Sequence, residues 1–144
     1  MQFLLYRLFG LLPTRLQVLA IYLASPKVSM GVSAVVTDAR GQVLLLHHTY
    51  RRPAWGFPSG MVGRNEQPPV ALARELREEL GLEAAIGPLL HADVSTRRRH
   101  LTLYYSATIP DEPRHGHETD AHRYVGIDEL LPRYGLVEAA WLEA

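Results

Sequence analysis

The sequence predicts one domain of the α/β or α+β class, and three observations carry that expectation. Apolar runs rich in β-branched residues recur along the chain, separated by Gly- and Pro-rich breaks. Among them lies a helical stretch whose leucines, Leu72, Leu76 and Leu80, are spaced by four. The chain has 144 residues, 47% of them hydrophobic, which suffices for a single core.

The first 27 residues, "MQFLLYRLFGLLPTRLQVLAIYLASPK", read as two short helices broken at Pro13, the second starting near Thr14 as its N-cap. Arg7 and Arg15 interrupt the apolar run, so no stretch of the roughly 20 residues a membrane span needs is left. They also sit inside the run rather than ahead of it, which argues against a secretory signal. This extension, residues 1–27, is expected to pack on the main domain, residues 28–144, or on a second copy of the chain, which makes a homodimer compatible with it. Attachment to a membrane surface through an apolar face with arginine edges is the weaker alternative.

After Pro26, "VSMGVSAVVTD", the turn "DARG" and "QVLLLHH" predict a hairpin over 28–48. Residues 49–69, "TYRRPAWGFPSGMVGRNEQPP", predict a long loop with at most one short strand, and loops of this length in compact domains are usually functional. Pro68 and Pro69 suit the first turn of a helix that runs through "VALARELREEL" to a C-terminal cap at Gly81. "LEAAIGPLLHADVS" and "HLTLYYSATIP" predict two strands joined by "TRRR". Beyond the loop "DEPRHGHETD", "AHRYVGI" reads as a strand and "DELLPRY" as a short helix capped by Asp128.

Composition narrows the function. Fifteen basic residues balance fifteen acidic ones, so no global field draws the chain to a nucleic-acid polymer or an anionic membrane. The absence of cysteine excludes a disulfide framework, zinc–thiolate sites and thiol nucleophiles, and fits a cytoplasmic location.

On the helix, Glu78 lies about 60° one way from Glu75 and Glu79 about 40° the other, so the three carboxylates share a face. The arrangement is locally unfavourable. Glu75 and Glu79 form a like-charged i,i+4 pair costing about 0.2–0.5 kcal/mol, and negative charge in the last turn opposes the helix dipole. A divalent cation such as Mg²⁺, which takes hard oxygen donors, would remove these penalties. A solvated acidic face is the competing account, and geometry alone leaves both open.

The chain gives Gly60, five residues, Glu66, seven residues, Arg74-Glu75-Leu76, one residue, Glu78-Glu79, one residue, Gly81-Leu82. This resembles the Nudix box of the Nudix hydrolases at each of its defined positions. The resemblance implies an α/β/α sandwich with a mixed sheet. It also implies a Mg²⁺ site, with Mn²⁺ as a substitute cation, formed by Glu75, Glu78, Glu79 and the carbonyl of Gly60. Glu78, Glu75 or Glu118 would serve as the catalytic base. Glu66, Arg74 and Gly81 are implied as supports of the loop and helix. Two departures stand out. Pro58-Ser59-Gly60 replaces the family's frequent Pro-Gly-Gly. In the closing strand Tyr124 takes the place of a tryptophan, with Glu118 matching one upstream glutamate and Ala121 replacing a second.

Substrate contacts fall outside the box. Arg51 and Arg52 could clamp phosphates and Trp55 or Tyr104 could stack a base. The cluster Arg97, Arg98, Arg99 and His100 could clamp phosphates as well, although a solvated turn is the stronger reading of a charge run. His47 and His48, as strand neighbours, point to opposite faces and make no metal pair; "HGH" at 115–117 lacks a partnering spacing. The expected activity is hydrolysis of a small nucleoside diphosphate derivative: a nucleotide sugar such as ADP-ribose, a nucleoside triphosphate or a dinucleoside polyphosphate. A nucleotide-sensing module without catalysis and a membrane-recruited hydrolase of a lipid-linked diphosphate are the alternatives. The intact glutamates argue against a pure sensor.

Overall fold

The computed structural model describes residues 6–7, 9–49, 52–114, 119–130, 132 and 142. In chain order the elements are α1 (Thr14–Ala24), β1 (Ser29–Val36), β2 (Val43–His48), β3 (Trp55–Gly56), β4 (Ser59–Met61), α2 (Pro68–Leu80), β5 (Ala85–Ser95), β6 (His100–Thr108), β7 (Thr119–Val125) and a 3-10 turn (Ile127–Glu129). Four strands form a mixed sheet in the order β4-β1-β6-β5, with β1 and β6 parallel. Three form an antiparallel sheet in the order β3-β2-β7.

The expected hairpin over 28–48 is therefore corrected. β1 and β2 meet only at the bridge between Thr37 and Val43 and then enter different sheets. The reason lies in their composition. Each is apolar on both faces, as a strand central to its own sheet must be, whereas a half-exposed hairpin would alternate. In β2, Leu44 and Leu46 face α2 while Val43 and Leu45 face the opposite side, and all four are buried.

Two apolar clusters hold the layers. The first joins Ala71, Leu72, Leu76 and Leu80 of α2 to Val32, Ala34 and Val36 of β1 and to Leu44 and Leu46 of β2. The predicted leucine stripe is thus wholly inside. The second gathers Val35, Val43, Leu45, Phe57, Tyr104 and Val125 with Leu130. Removing a leucine side chain from water contributes about 1.5–3 kcal/mol, so the stripe alone anchors α2 firmly on the sheets.

α2 begins at Pro68 as expected and ends at Gly81, whose φ of 66° is the left-handed C-terminal cap that glycine accepts most readily. Other boundaries differ from expectation. Two short strands, β3 and β4, lie within 49–69. Pro13 rather than Thr14 precedes α1 as its cap. Asp128 lies inside the final 3-10 turn, whose cap is Gly126.

α1 buries none of its residues, and Leu16, Val18, Leu19, Ile21, Tyr22 and Leu23 remain exposed. The expectation that this segment packs on the domain is not met for α1. Among the described residues no helix is long and apolar enough to cross a membrane.

Candidate active site

The site is built where β4 passes over α2. Gly60 lies directly against the helix: a Cβ placed on it would stand 1.9 Å from the Glu75 carboxyl carbon. Only glycine allows that approach without moving the glutamate.

The β1–β4 ladder also decides which main-chain groups face outward. Val62 N–H donates to the Met30 carbonyl at 2.9 Å and Ala34 N–H to the Pro58 carbonyl at 2.8 Å. Hydrogen-bonded pairs alternate along an antiparallel ladder, so Gly60, opposite Val32, also turns its N–H and C=O toward β1. The main-chain N–H and C=O groups of Ser59 and Met61 then point away from β1, toward α2. Ser59 N–H donates to Glu79 Oε2 at 3.0 Å, and the Met61 carbonyl accepts from Arg74 Nη2 at 3.1 Å.

Arg74 ties the loop to the helix. Its Nε and Nη2 donate to the two carboxylate oxygens of Glu66, each at 3.0 Å, while Nη1 donates to Glu75 Oε1 at 2.7 Å and lies 3.6 Å from Glu78 Oε1. Glu66 Oε2 also accepts from Gly63 N–H at 2.9 Å. These donors, Arg74 first and the Gly63 amide second, hold the Glu66 carboxyl below its usual range. The same pairing, with Glu66 ahead of Glu75, raises the already high pKa of the Arg74 guanidinium. Glu66 and Arg74 thus join the loop after β4 to α2, and Gly81 caps that helix.

The three helix carboxylates grade from inside to outside. Glu79 is 7% exposed, the Glu75 side chain 17% and the Glu78 side chain 62%. All offer only oxygen, the donor class that hard divalent cations take. Among the described residues no three acidic or imidazole side chains form a ready-made chelating cluster. The chemistry of the donor set fits a hard divalent cation.

Beside β4 opens a cleft of about 520 Å³ on the face of the mixed sheet opposite α2. Arg52, Trp55 and Tyr104 all line it. Tyr104 is buried, with its ring edge-on to Phe57 at 6.1 Å between centroids. Arg51 and Glu118 lie outside the described residues. Arg97, Arg98 and Arg99 form an exposed turn, as the solvated reading of the cluster at 97–100 has it. Arg98 and His100 line the cleft, and His100 Nδ1 shares a 2.7 Å hydrogen bond with Ser29 Oγ. Asp93, Ser95 and Thr102, which the sequence reading did not single out, line it as well. Alternation along β5 and β6 puts them on one face with Tyr104, a signal that becomes usable only once the strand register is known.

A family model described as the NUDIX domain matches residues 27–143. The chain belongs to the Nudix family. Its box residues are those that meet at β4 and α2, and its two sheets with the packed helix are the family's fold. A CTP pyrophosphohydrolase of Escherichia coli is 35% identical over 122 residues, covering 75% of this chain and 83% of that protein. An ADP-ribose pyrophosphatase of Mycobacterium tuberculosis is 38% identical over 64 residues, 42% of this chain and 31% of the relative. An RNA pyrophosphohydrolase of Saccharophagus degradans is 43% identical over 52 residues, and the match spans only 31% of its length. Among solved structures, the E. coli ORF135 protein superposes with a TM-score of 0.62 at 30% identity, over 78% of this Nudix chain and 83% of that one.

Proposed function

We propose that this Nudix protein is a Mg²⁺-dependent pyrophosphohydrolase of a nucleoside triphosphate, cleaving one phosphoanhydride bond. The observation that carries this reading is the place of β4, which meets the glutamate face of α2 through Ser59 and Gly60 and also lines a cleft that offers both cationic and aromatic side chains. The choice of a triphosphate over a nucleotide sugar or dinucleoside polyphosphate is supported by the CTP pyrophosphohydrolase, whose likeness extends over most of both chains.

Glu75, Glu78 and Glu79 would hold the cation, and Mn²⁺ could replace Mg²⁺. The main chain of Gly60 faces β1 and that of Ser59 faces α2, which supports the Ser59 carbonyl rather than that of Gly60 as a further oxygen donor. When bound, the cation neutralises phosphate charge and lowers the pKa of water. The chain's own residues do the rest. Arg52 offers the phosphates a guanidinium, and Trp55 and Tyr104 give the nucleoside an aromatic wall and floor. Glu78, the most exposed of the three carboxylates, accepts the proton of the attacking water. The water oxygen bonds to phosphorus, the bridging oxygen leaves with the departing phosphate, and the proton ends on Glu78. Arg74, bound to Glu66 and Glu75, keeps the helix face in position while this happens.

The test is phosphate and diphosphate release from a panel of nucleoside triphosphates, ADP-ribose and dinucleoside polyphosphates with Mg²⁺, beside Glu78→Gln. Turnover of a triphosphate that falls by orders of magnitude in the folded variant upholds the reading. Nucleotide binding without turnover in the wild type refutes it.

A further inference from the structure

The register of the mixed sheet aligns Met61 of β4, Gly31 of β1, Thr102 of β6 and Asp93 of β5 on one rung. Residues on a rung share a face, and all four line the cleft. At about 4.8 Å per strand, β5 lies about 14 Å across the sheet from β4. If the phosphates lie at the β4 end, beside the glutamates, the base must extend toward β5.

The middle of the rung is open because Gly31 has no side chain. The His100 ring fills part of that space: a Cβ on Gly31 would meet its Nε2 at 2.8 Å. At the far end stands Asp93, the carboxylate among the cleft-lining side chains. Among the described residues no hydrogen bond or ion pair engages its side chain. An ionised carboxylate only accepts hydrogen bonds. An exocyclic amino group satisfies it, whereas a keto oxygen at the same place sets two acceptors against each other.

We propose that Asp93 determines base specificity, its carboxylate accepting a hydrogen bond from the exocyclic amino group of the base, so that the cleft takes cytosine in preference to uracil. This rests on the triphosphate-hydrolase reading, with the reacting phosphates beside α2. Thr102, its rung neighbour, carries a hydroxyl that can donate or accept and therefore does not discriminate. An acidic side chain on an edge strand can also serve merely to keep that edge from pairing with another chain, and the test separates the two roles.

The experiment measures kcat/KM for CTP and UTP with Mg²⁺ in the wild type, Asp93→Asn and Asp93→Ala, together with the melting-temperature shift each nucleotide causes in the absence of metal. The wild type is expected to favour CTP by about tenfold or more. Asp93→Asn presents an amide that can donate to the uracil oxygen, so the preference should collapse or invert, and Asp93→Ala should flatten it. Circular dichroism checks that the folds are kept. Equal use of CTP and UTP by the wild type, or an unchanged preference in both variants, overturns the role of Asp93 and leaves the hydrolase reading standing. If the wild type turns over neither nucleotide but is stabilised more by CTP, and Asp93→Asn abolishes that difference, the hydrolase reading fails and the role of Asp93 holds. Absence of both turnover and a differential shift overturns both.

Discussion

Gly60 and Glu75 are packed so closely that a single methyl group cannot be placed between them: a Cβ on Gly60 would lie 1.9 Å from the Glu75 carboxyl carbon and 2.3 Å from Oε1. The backbone of β4 is fixed on its other side by the ladder to β1, so the glutamate must yield. Gly60→Ala should therefore displace the carboxylate and lower kcat by about a hundredfold, the scale of loss that about 1 Å of misplacement brings. Because the displaced group can swing toward solvent, the melting temperature should change little. Steady-state kinetics beside a thermal melt would test this, and an alanine variant with full activity would show that Glu75 need not occupy that position.

Acid should loosen the loop before it unfolds the core. Arg74 and the Gly63 amide hold the Glu66 carboxyl below its usual range, so the folded state binds the Glu66 proton less readily than the unfolded chain. The resulting stability is fully present above the unfolded value, about 4.3, and is lost as pH falls through the lower folded value. Urea midpoints of wild type and Glu66→Gln should differ most near neutrality and converge in acid. A gap that stayed constant down to pH 3 would mean that the carboxylate charge contributes nothing.

Both relationships lie within a stretch whose pattern was legible in the sequence. The places of Gly60, Glu66 and Arg74 are implied only by the resemblance to the Nudix box, whereas helix geometry puts the three glutamates on one face. The same holds for Leu72, Leu76 and Leu80, whose period alone predicts their burial. What could not be read was long-range. β1 and β2 look like a hairpin until their partners, β6 and β7, are known from far along the chain. Asp93, Thr102 and His100 are brought beside Arg52 and Trp55 by strand pairing, and local pattern carries no trace of it. The outward turn of Ser59 in place of Gly60 likewise depends on ladder parity, not on residue type.

The leucine stripe predicts a large cost for a small change. Leu76 is fully buried in the cluster that joins α2 to β1 and β2. Leu76→Ala should destabilise the fold by about 2–5 kcal/mol, through lost burial and the cavity left behind. Because Leu76 lies on the buried side of the helix and not on its glutamate face, residual activity should follow the folded fraction, with kcat per folded molecule nearly unchanged. Denaturant titration and active-site counting would check this; a loss below about 1 kcal/mol would mean that α2 is held elsewhere.

Removal of divalent metal should act on stability as well as turnover, because the cation would bind carboxylates that share one face only in the folded helix. Chelation should abolish activity and Mg²⁺ restore it. In the absence of nucleotide, Mg²⁺ at a hundred times its dissociation constant should stabilise the wild type by about 2.7 kcal/mol. Glu79→Gln separates charge from structure: its amide oxygen can still accept the Ser59 N–H, so the buried contact survives while one negative charge is lost. This variant should therefore melt at or above the wild-type temperature without metal, since like-charge repulsion with Glu75 is relieved, and should lose most of its response to Mg²⁺. Melting curves over a Mg²⁺ titration would settle it, and an undiminished response in Glu79→Gln would place the cation on Glu75 and Glu78 without Glu79.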